Sequence, residues 1–390
     1  MSIGERFLKS MSLKRTNAEN RVIITPPDKT LIIVSIFILV IGIMSVFSAG
    51  SARAIREGLN PAYYLIRQFA GLVIGGICCY FATFKLDYKK LQSFTVPFAL
   101  FVLVLLILTA SPLGISANGA QRWLAIGSIR FQPSEFAKLA VVLCFAKVFS
   151  KDVRIIDPNK YLYYGIFLIS IFLILKQPNL SMVILLLSTT LSIYFCAGGS
   201  IRTIVTGIVA AIPVLSIYIV GYQIRRIRMW IDPEIDPKGA GYNIIQSLIA
   251  FAEGGLTGVG YGNSKQKLSW LPEGHTDFIF SIIAEEFGFV GCIFLIVLFM
   301  IFIRRGFMIA SRCPDKFGKL LAFGITFSIG FQALINMAVA SSFLPATGIP
   351  MPFVSFGSSS LVITMFMLGI LLNISRKKVQ RITPLEVVNA

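Results

Sequence analysis

Histidine, acidic residues and paired cysteines are scarce in this sequence. Its 390 residues contain one histidine, and 18 acidic residues stand against 36 lysines and arginines. With no second histidine and no CxxC pair among the six cysteines, neither a zinc site nor a disulfide framework is supported. Charged residues make up 14% of the chain, whereas a soluble domain carries about a quarter. A large soluble domain is therefore excluded.

Long apolar runs fill most of the remaining sequence. Hydrophobic residues make up 56% of the chain, and the mean hydropathy is +0.80. A helix of roughly 20 apolar residues crosses a bilayer. The pattern predicts an all-α polytopic membrane protein with about ten transmembrane helices, at residues 31–49, 63–84, 94–110, 136–149, 161–175, 180–197, 204–222, 278–303, 320–340 and 353–374.

The distribution of basic residues predicts the orientation of these helices. Of the 36 basic residues, 23 fall on one side, in the two termini and the loops at 85–90, 147–160, 200–203 and 304–319. Basic loops stay in the cytoplasm, so both termini are predicted to be cytoplasmic. The net charge of +18 then reflects these loops and contact with anionic membrane lipids, not nucleic acid.

The chain divides into a membrane domain and two tails. We predict a cytoplasmic N-terminal tail at 1–28, a ten-helix membrane domain at 29–375 and a cytoplasmic C-terminal tail at 376–390. The first 28 residues lack an apolar core, so the first span is predicted to act as an uncleaved anchor. A large extracytoplasmic loop at 223–277 separates helices 7 and 8 and contains a predicted surface helix followed by a glycine-rich turn.

Scarce acids gather at the end of this loop. Glu273, Asp277, Glu285 and Glu286 lie within fourteen positions, beside the only histidine, His275. Counting back from residue 303 at 1.5 Å per helical residue places Asp277 in the lipid headgroup layer. Asp277 is either a first-turn acid that complements the helix dipole or a catalytic acid, and Thr276 or His275 is a candidate cap. His275 is either a general base or a hydrogen-bonding residue.

A second polar cluster occupies the shorter external loop and the helix after it. Pro133 favours a helix start, and Glu135 and Lys138 then share one helical face three residues apart. Arg122 precedes them in the loop. Ionisable residues inside a span face a protein interior or a wet cavity. The pair therefore either fixes helix packing or contacts a substrate.

Several blocks in one order carry a family resemblance over residues 28–375. The blocks NGAQRW, FQPSEFAKL, DPKGAGYNIIQSLIA, WLPEGHTDFIF with AEEFGFVG, and TGIPMPFVSFGSSS resemble those of the SEDS family (shape, elongation, division and sporulation proteins). The spacing RRIRMWIDPEIDPKGAGY and the run GNSKQKLSWLPE are more similar to the FtsW and SpoVE branch than to RodA. Four positions depart from the usual pattern: Asn179, Ser181, Ala346 and Ser358.

The resemblance implies a peptidoglycan glycosyltransferase in the bacterial cell membrane. It would polymerise lipid II outside the membrane during septal synthesis and release undecaprenyl pyrophosphate. By this resemblance Asp277 is the essential acid and the expected general base. The expected substrate-binding residues are Glu135, Lys138, Arg122, Lys267, Glu273 and His275, and no protein metal site is predicted. Mg²⁺ or Mn²⁺ stays open as a cofactor, and the expected partners are a class B penicillin-binding transpeptidase and other division proteins.

Two rival classes stay open at this point. A lipid II transporter would use intramembrane charges such as Glu135, Lys138 and Lys176 to pass a polar headgroup, but it needs no acid at the outer surface. A non-catalytic division scaffold needs neither feature. Within the family, an elongation or sporulation role remains an alternative to the division role.

Overall fold

The computed structural model describes residues 20–117, 120–127, 129–151, 159–218, 222–239, 241–268 and 270–381. Most of the predicted N-terminal tail and residues 382–390 of the C-terminal tail lie outside these described residues. Within them the helices are α1 (Lys29–Arg56), α2 (Tyr63–Phe84), α3 (Leu91–Ala110), α4 (Pro133–Ser150), α5 (Asn159–Lys176), α6 (Leu180–Cys196), α7 (Ile201–Tyr218), α8 (Tyr222–Ile231), α9 (Tyr242–Gly254), α10 (Ile279–Arg312), α11 (Lys316–Ala340) and α12 (Ser358–Ser375).

A helix lies at each predicted apolar span, and α2 matches its span at both ends. The largest difference is α10, which continues to Arg312, into the loop predicted at 304–319, whereas its predicted span ends at residue 303. Helix α12 begins at Ser358 and not at residue 353. Phe353 has φ 65°, a left-handed conformation that no helix interior accepts, so residues 353–357 form a turn. Six of the described helices are long and apolar enough to cross a membrane, namely α1, α2, α3 with the turn before it, α10, α11 and α12. The protein is thus a polytopic helical membrane protein.

Five short strands complete the described structure. They are β1 (Asn20–Ile24), β2 (Ile115–Ala117), β3 (Ala120–Ile126), β4 (Ile129–Phe131) and β5 (Lys377–Arg381). Strand β1 pairs antiparallel with β5, so the two ends of the described chain lie together at one end of the bundle. The three strands β2, β3 and β4 form an antiparallel sheet between α3 and α4 and carry Arg122.

Asp28 both caps the start of α1 and anchors it to a neighbouring helix. The Asp28 carboxylate accepts a hydrogen bond from the Leu31 amide, 2.9 Å away, and thereby caps the helix. It also pairs with Arg305 on α10, at 3.2 Å. Asp28 therefore joins α1 to α10 beside the paired strands.

Helix α10 is broken at Gly288, which has φ 64° and ψ −166°. The break leaves backbone N–H and C=O groups without their helical hydrogen-bond partners, and segment 254–260 supplies other partners for them. Four hydrogen bonds of 2.9–3.1 Å join the two: Val259 N to Glu285 O, Gly260 N to Glu286 O, Phe289 N to Gly255 O and Val290 N to Leu256 O. Non-helical backbone at membrane depth is tolerated where protein satisfies it, so the loop fixes the direction of residues 279–287.

Candidate active site

The segment that carries the acids is a series of turns before α10. The Glu273 carbonyl accepts hydrogen bonds from the amides of Thr276 and Phe278, both at 3.1 Å. Helix α10 starts at Ile279 without a side-chain cap. The Thr276 hydroxyl donates to the Glu273 carboxylate at 2.7 Å. The expected capping by Thr276 or His275 is therefore wrong, and Asp277 lies before the helix and not in its first turn.

Helix α11 and the loop after it hold this segment in place. Asn336 Nδ2 on α11 donates to the Asp277 carbonyl at 2.8 Å and to the Ile349 carbonyl at 2.9 Å. Ser355 Oγ donates to the Thr276 carbonyl at 2.6 Å. Asp277 is thus held through hydrogen bonds to the backbone, and its carboxylate takes no part in them.

Two arginines face the Asp277 carboxylate across the 341–357 loop. A Cβ at Gly348 would lie 3.3 Å from Arg122 Nη1 and 3.6 Å from Asp277 Oδ2, so the guanidinium and the carboxylate both lie beside this glycine, which has no side chain to come between them. Arg122 is itself oriented by the carbonyls of Gln177, 2.9 Å from Nε, and Pro178. Arg226 Nη1 donates to the Ala346 carbonyl at 3.0 Å.

The protonation of Asp277 follows from this setting. Burial, and to a lesser extent the Glu273 carboxylate, raise the pKa of Asp277 to about 7. Arg122 and Arg226 oppose the rise. A carboxyl group with a pKa near neutrality can exchange a proton at physiological pH, which is what acid–base catalysis needs.

His275, two residues before Asp277, is buried in an aromatic setting. Its ring lies 5.1 Å from the Tyr64 ring and 5.7 Å from the Phe356 ring. Arg53 Nη1 is 3.4 Å from Nε2. Burial and the Arg53 charge lower the pKa of His275 to about 3, so the imidazole is neutral at working pH. A base this weak is poorly suited to take a proton from a sugar hydroxyl.

Glu135 and Lys138 form a buried ion pair on α4, with Oε2 and Nζ 2.7 Å apart and side chains 1% and 2% exposed. Lys138 Nζ also donates to Gln332 Oε1 at 2.7 Å. Gln332 Nε2 in turn donates to the Pro350 carbonyl at 2.7 Å. The pair is thereby connected to the loop that faces Asp277.

Lys267 belongs to a different contact set. Its ammonium lies 3.0 Å from Glu286 Oε1 and 2.9 Å from Ser48 Oγ. The neighbouring Glu285 carboxylate accepts hydrogen bonds from the Ser264 hydroxyl and from the Lys265 amide, at 2.7 Å. These contacts tie the glycine-rich loop to α10. A substrate role for Lys267 stays a prediction, since its charge is already neutralised by Glu286.

The sequence patterns did not identify four residues that shape this site: Arg226, Asn336, Gly348 and Ser355. Arg226 carried a usable signal, because a basic residue in an external loop departs from the positive-inside pattern. Asn336 carried another, as an amide within an apolar span. Gly348 and Ser355 gave none, because their roles depend on how two distant loops meet.

The residues around Asp277 limit how the site could bind a divalent cation. In the described ranges no group of three or more His, Cys, Asp or Glu residues can hold a metal ion. Glu273 and Asp277 are electrostatically coupled carboxylates. Mg²⁺ is usually held by one or two carboxylates together with substrate phosphates. The site therefore fits such an ion only when a phosphate-bearing substrate completes the ligand set.

Comparison with known proteins gives consistent matches over most of the chain. The family model FTSW_RODA_SPOVE, described as cell cycle protein, matches residues 28–380. The probable peptidoglycan glycosyltransferase FtsW of Trichlorobacter lovleyi is 37% identical over 354 residues, 89% of this chain and 93% of the relative. Stage V sporulation protein E of Bacillus subtilis is 35% identical over 368 residues, 90% of this chain and 98% of the relative.

A solved structure has the same fold. It belongs to work on the structural coordination of polymerization and crosslinking by a peptidoglycan synthase complex. The TM-score is 0.75 at 30% identity, and the match covers 90% of this chain and 98% of the other.

Proposed function

Because the chain belongs to the FtsW/RodA/SpoVE family of cell cycle proteins, we propose that it is a peptidoglycan glycosyltransferase that polymerises lipid II, with Asp277 as general base. The observation that carries the proposal is the Asp277 carboxyl, whose pKa is raised to about 7 and which faces Arg122 across Gly348. Relatives named peptidoglycan glycosyltransferase over most of the chain support the activity.

In the proposed reaction the 4-hydroxyl of the acceptor sugar attacks the anomeric carbon of the donor. Asp277 takes the hydroxyl proton as the new C–O bond forms. The bond between the anomeric carbon and the pyrophosphate oxygen breaks, and undecaprenyl pyrophosphate leaves with the bonding electrons. Attack opposite an α-linked leaving group inverts the anomeric centre and gives a β-linkage.

The arginines beside Asp277 supply positive charge for the leaving group. Pyrophosphate gains negative charge in the transition state, and fixed cations aimed at that charge lower the barrier. Arg122 is held by two carbonyls and Arg226 by one, so neither needs to reorganise during the reaction. A bound Mg²⁺ or Mn²⁺ would supply further positive charge to the pyrophosphate. Glu273 then tunes Asp277, and His275 is a buried neutral residue.

The raised pKa predicts a specific pH dependence. Below pH about 7 the Asp277 carboxyl is protonated and cannot accept a proton, so kcat/KM should rise with pH through about 7. The measurement is initial polymerisation rate from lipid II across this range. A rate already at its plateau near pH 5 would show that a carboxyl with an unshifted pKa, and not Asp277 as described, controls the step.

We further propose ten membrane-spanning helices, with α8, α9 and the Asp277 segment outside and both termini in the cytoplasm. The basic-residue asymmetry and the pairing of β1 with β5 support this arrangement. A cysteine at Lys265, whose side chain is 72% exposed, should react with an impermeant thiol reagent in intact cells, while one at Lys89 should not. The reverse labelling pattern would overturn the topology.

The cellular setting of the proposal is the bacterial cell membrane at the division septum. A class B penicillin-binding transpeptidase, other division proteins and membrane lipids are the proposed partners. The matched synthase complex couples polymerization with crosslinking, which supports a transpeptidase partner for this chain. The elongation and sporulation roles stay the alternatives within the family, and similarity to a sporulation relative as well as to an FtsW supports the second of them.

A lipid II transporter is the second candidate function. The buried Glu135–Lys138 pair favours it, because ionisable residues within a span often mark a path for polar cargo. That function does not require the raised pKa of Asp277, so the pH dependence of polymerisation separates the two.

A further inference from the structure

Three residues on the segments that contact Asp277 or Arg122, or adjoin those contacts, carry buried side-chain polar atoms that have no hydrogen-bond partner in the part of the chain that the structure describes. These atoms are Nε2 and Oε1 of Gln177, Oγ1 of Thr347 and Oδ1 of Asn336. Gln177 is 2% exposed and Asn336 is 1% exposed. An unpaired buried amide or hydroxyl is costly, and native structures retain one where water or a ligand satisfies it.

The positions of two of these groups, those of Asn336 and Thr347, relative to Asp277 follow from the contacts of Asn336 and of Gly348. Asn336 donates its Nδ2 to the Asp277 carbonyl at 2.8 Å, so its unpaired Oδ1 lies on the same amide group, next to that residue. Thr347 directly precedes Gly348, whose Cβ position is 3.6 Å from Asp277 Oδ2. Asn336 therefore contacts the proposed base directly, and Thr347 adjoins the glycine that lies beside its carboxylate.

The third group belongs to Gln177, whose backbone contacts Arg122. The Gln177 carbonyl accepts a hydrogen bond from Arg122 Nε at 2.9 Å. Arg122 Nη1 lies 3.3 Å from the Cβ position of Gly348. One guanidinium thus contacts the backbone at Gln177 and also lies beside the loop that contains Thr347.

The chemistry of the three groups selects a neutral ligand. A carboxamide offers one donor and one acceptor side by side, and the hydroxyl and the second amide oxygen add further neutral positions. A phosphate would be matched by Arg122 and Arg226, not by these groups. A secondary amide, with its own N–H and C=O, pairs reciprocally with the Gln177 carboxamide. Both sugars of lipid II carry such an amide as the N-acetyl group on C2.

We propose that Gln177, Thr347 and Asn336 form an amide pocket that binds a sugar N-acetyl group of lipid II next to Asp277. The proposal rests on the proposed glycosyltransferase function and adds a source of substrate specificity to it. The N-acetyl group belongs either to the donor sugar, where C2 adjoins the reacting carbon, or to the acceptor sugar, where C2 lies on the same ring as the attacking hydroxyl.

The test compares lipid II with two analogues, each with a hydroxyl in place of one N-acetyl group, on the donor-type or the acceptor-type sugar. The full-length wild-type protein should use one analogue with kcat/KM reduced about tenfold or more, because a site built for an amide rejects a ligand that lacks it. The analogue that is rejected identifies the sugar. Gln177→Leu should bring the ratio of kcat/KM values for lipid II and that analogue close to one.

Two further variants separate recognition from stability. Thr347→Val removes a hydroxyl at nearly constant shape and should lower the ratio in part, even if Gln177→Leu fails to fold. Asn373→Leu removes a buried amide that donates to Thr83 and Leu86 near the opposite end of the bundle, and it should leave the ratio unchanged.

The outcomes are distinguishable. Wild-type protein that polymerises lipid II and both analogues equally well would overturn the amide pocket and leave the proposed function standing. The same holds if Gln177→Leu and Thr347→Val fold and keep the full wild-type ratio. Wild-type protein that forms no polymer from lipid II would overturn the proposed function and, with it, the pocket.

Discussion

Asp277→Asn is expected to reduce glycan polymerisation by about 100-fold or more, within the range that a positioned general base contributes. The substitution removes the basic oxygen but keeps the size of the side chain. The fold should survive, because Asn336 holds Asp277 through its backbone carbonyl, which the substitution does not touch. The measurement is polymer yield and length from lipid II, with a thermal-unfolding check on each variant.

Two matched variants make this result specific. Asp232→Asn removes an acid elsewhere in the same loop, one that caps the turn at Glu234, and should retain wild-type activity. His275→Gln replaces a neutral buried imidazole with a neutral amide and should retain a substantial fraction of activity. Near-normal polymer from well-folded Asp277→Asn protein would remove this carboxylate from the chemistry and favour the transporter.

Breaking the Glu135–Lys138 pair is expected to have the second-largest effect. Glu135→Lys or Lys138→Glu alone leaves like charges together at a buried site, and the loss of one partner in a buried pair costs about 3–5 kcal/mol. The double variant Glu135→Lys with Lys138→Glu restores opposite charges 2.7 Å apart in the native pair and should recover part of the stability. The rescue should be incomplete, because Gln332 is oriented for an ammonium at position 138.

The measurement is the free energy of unfolding in mixed micelles, together with polymer yield. The exposed pair Lys265–Glu253, 3.8 Å apart, is the control: Lys265→Ala should change stability by about 1 kcal/mol or less. Silent single variants, or a double variant as damaged as the worse single one, would show that the two charges do not act as a pair.

The apolar pattern was sufficient to predict most of the helices. Helix α2 begins and ends where its apolar run does. Helix α4 starts at Pro133, as the preference of proline for the first position of a helix predicts. The start of α12 was wrong because a positive φ at Phe353 depends on the packing of its turn and leaves no mark on hydropathy. The break in α10 was also not predicted, because the bonds that stabilise it come from residues 254–260, about thirty positions earlier.

In the candidate site, too, features that depend on residues close together in the sequence were predictable, and contacts between distant residues were not. Clustering of acids and the family resemblance pointed to Asp277, and helical spacing predicted the pairing of Glu135 with Lys138, which lies at 2.7 Å. The positioning of Asp277 by Asn336, fifty-nine residues away, was not predictable from spacing. Lys267 was expected to bind substrate, yet its ammonium pairs with Glu286, because the loop folds back onto α10.

The central claim is that this chain itself joins lipid II units, and one reconstitution tests it most directly. Purified full-length protein would be placed in lipid nanodiscs with a transpeptidase-inactive form of its class B partner and with lipid II as the only substrate. A nanodisc has no enclosed compartment, so transport cannot produce a signal. We predict glycan strands and released undecaprenyl pyrophosphate from the wild type, and about 100-fold less of both products, or lower still, from Asp277→Asn. Intact lipid II after incubation with folded wild-type protein and its partner would contradict the account.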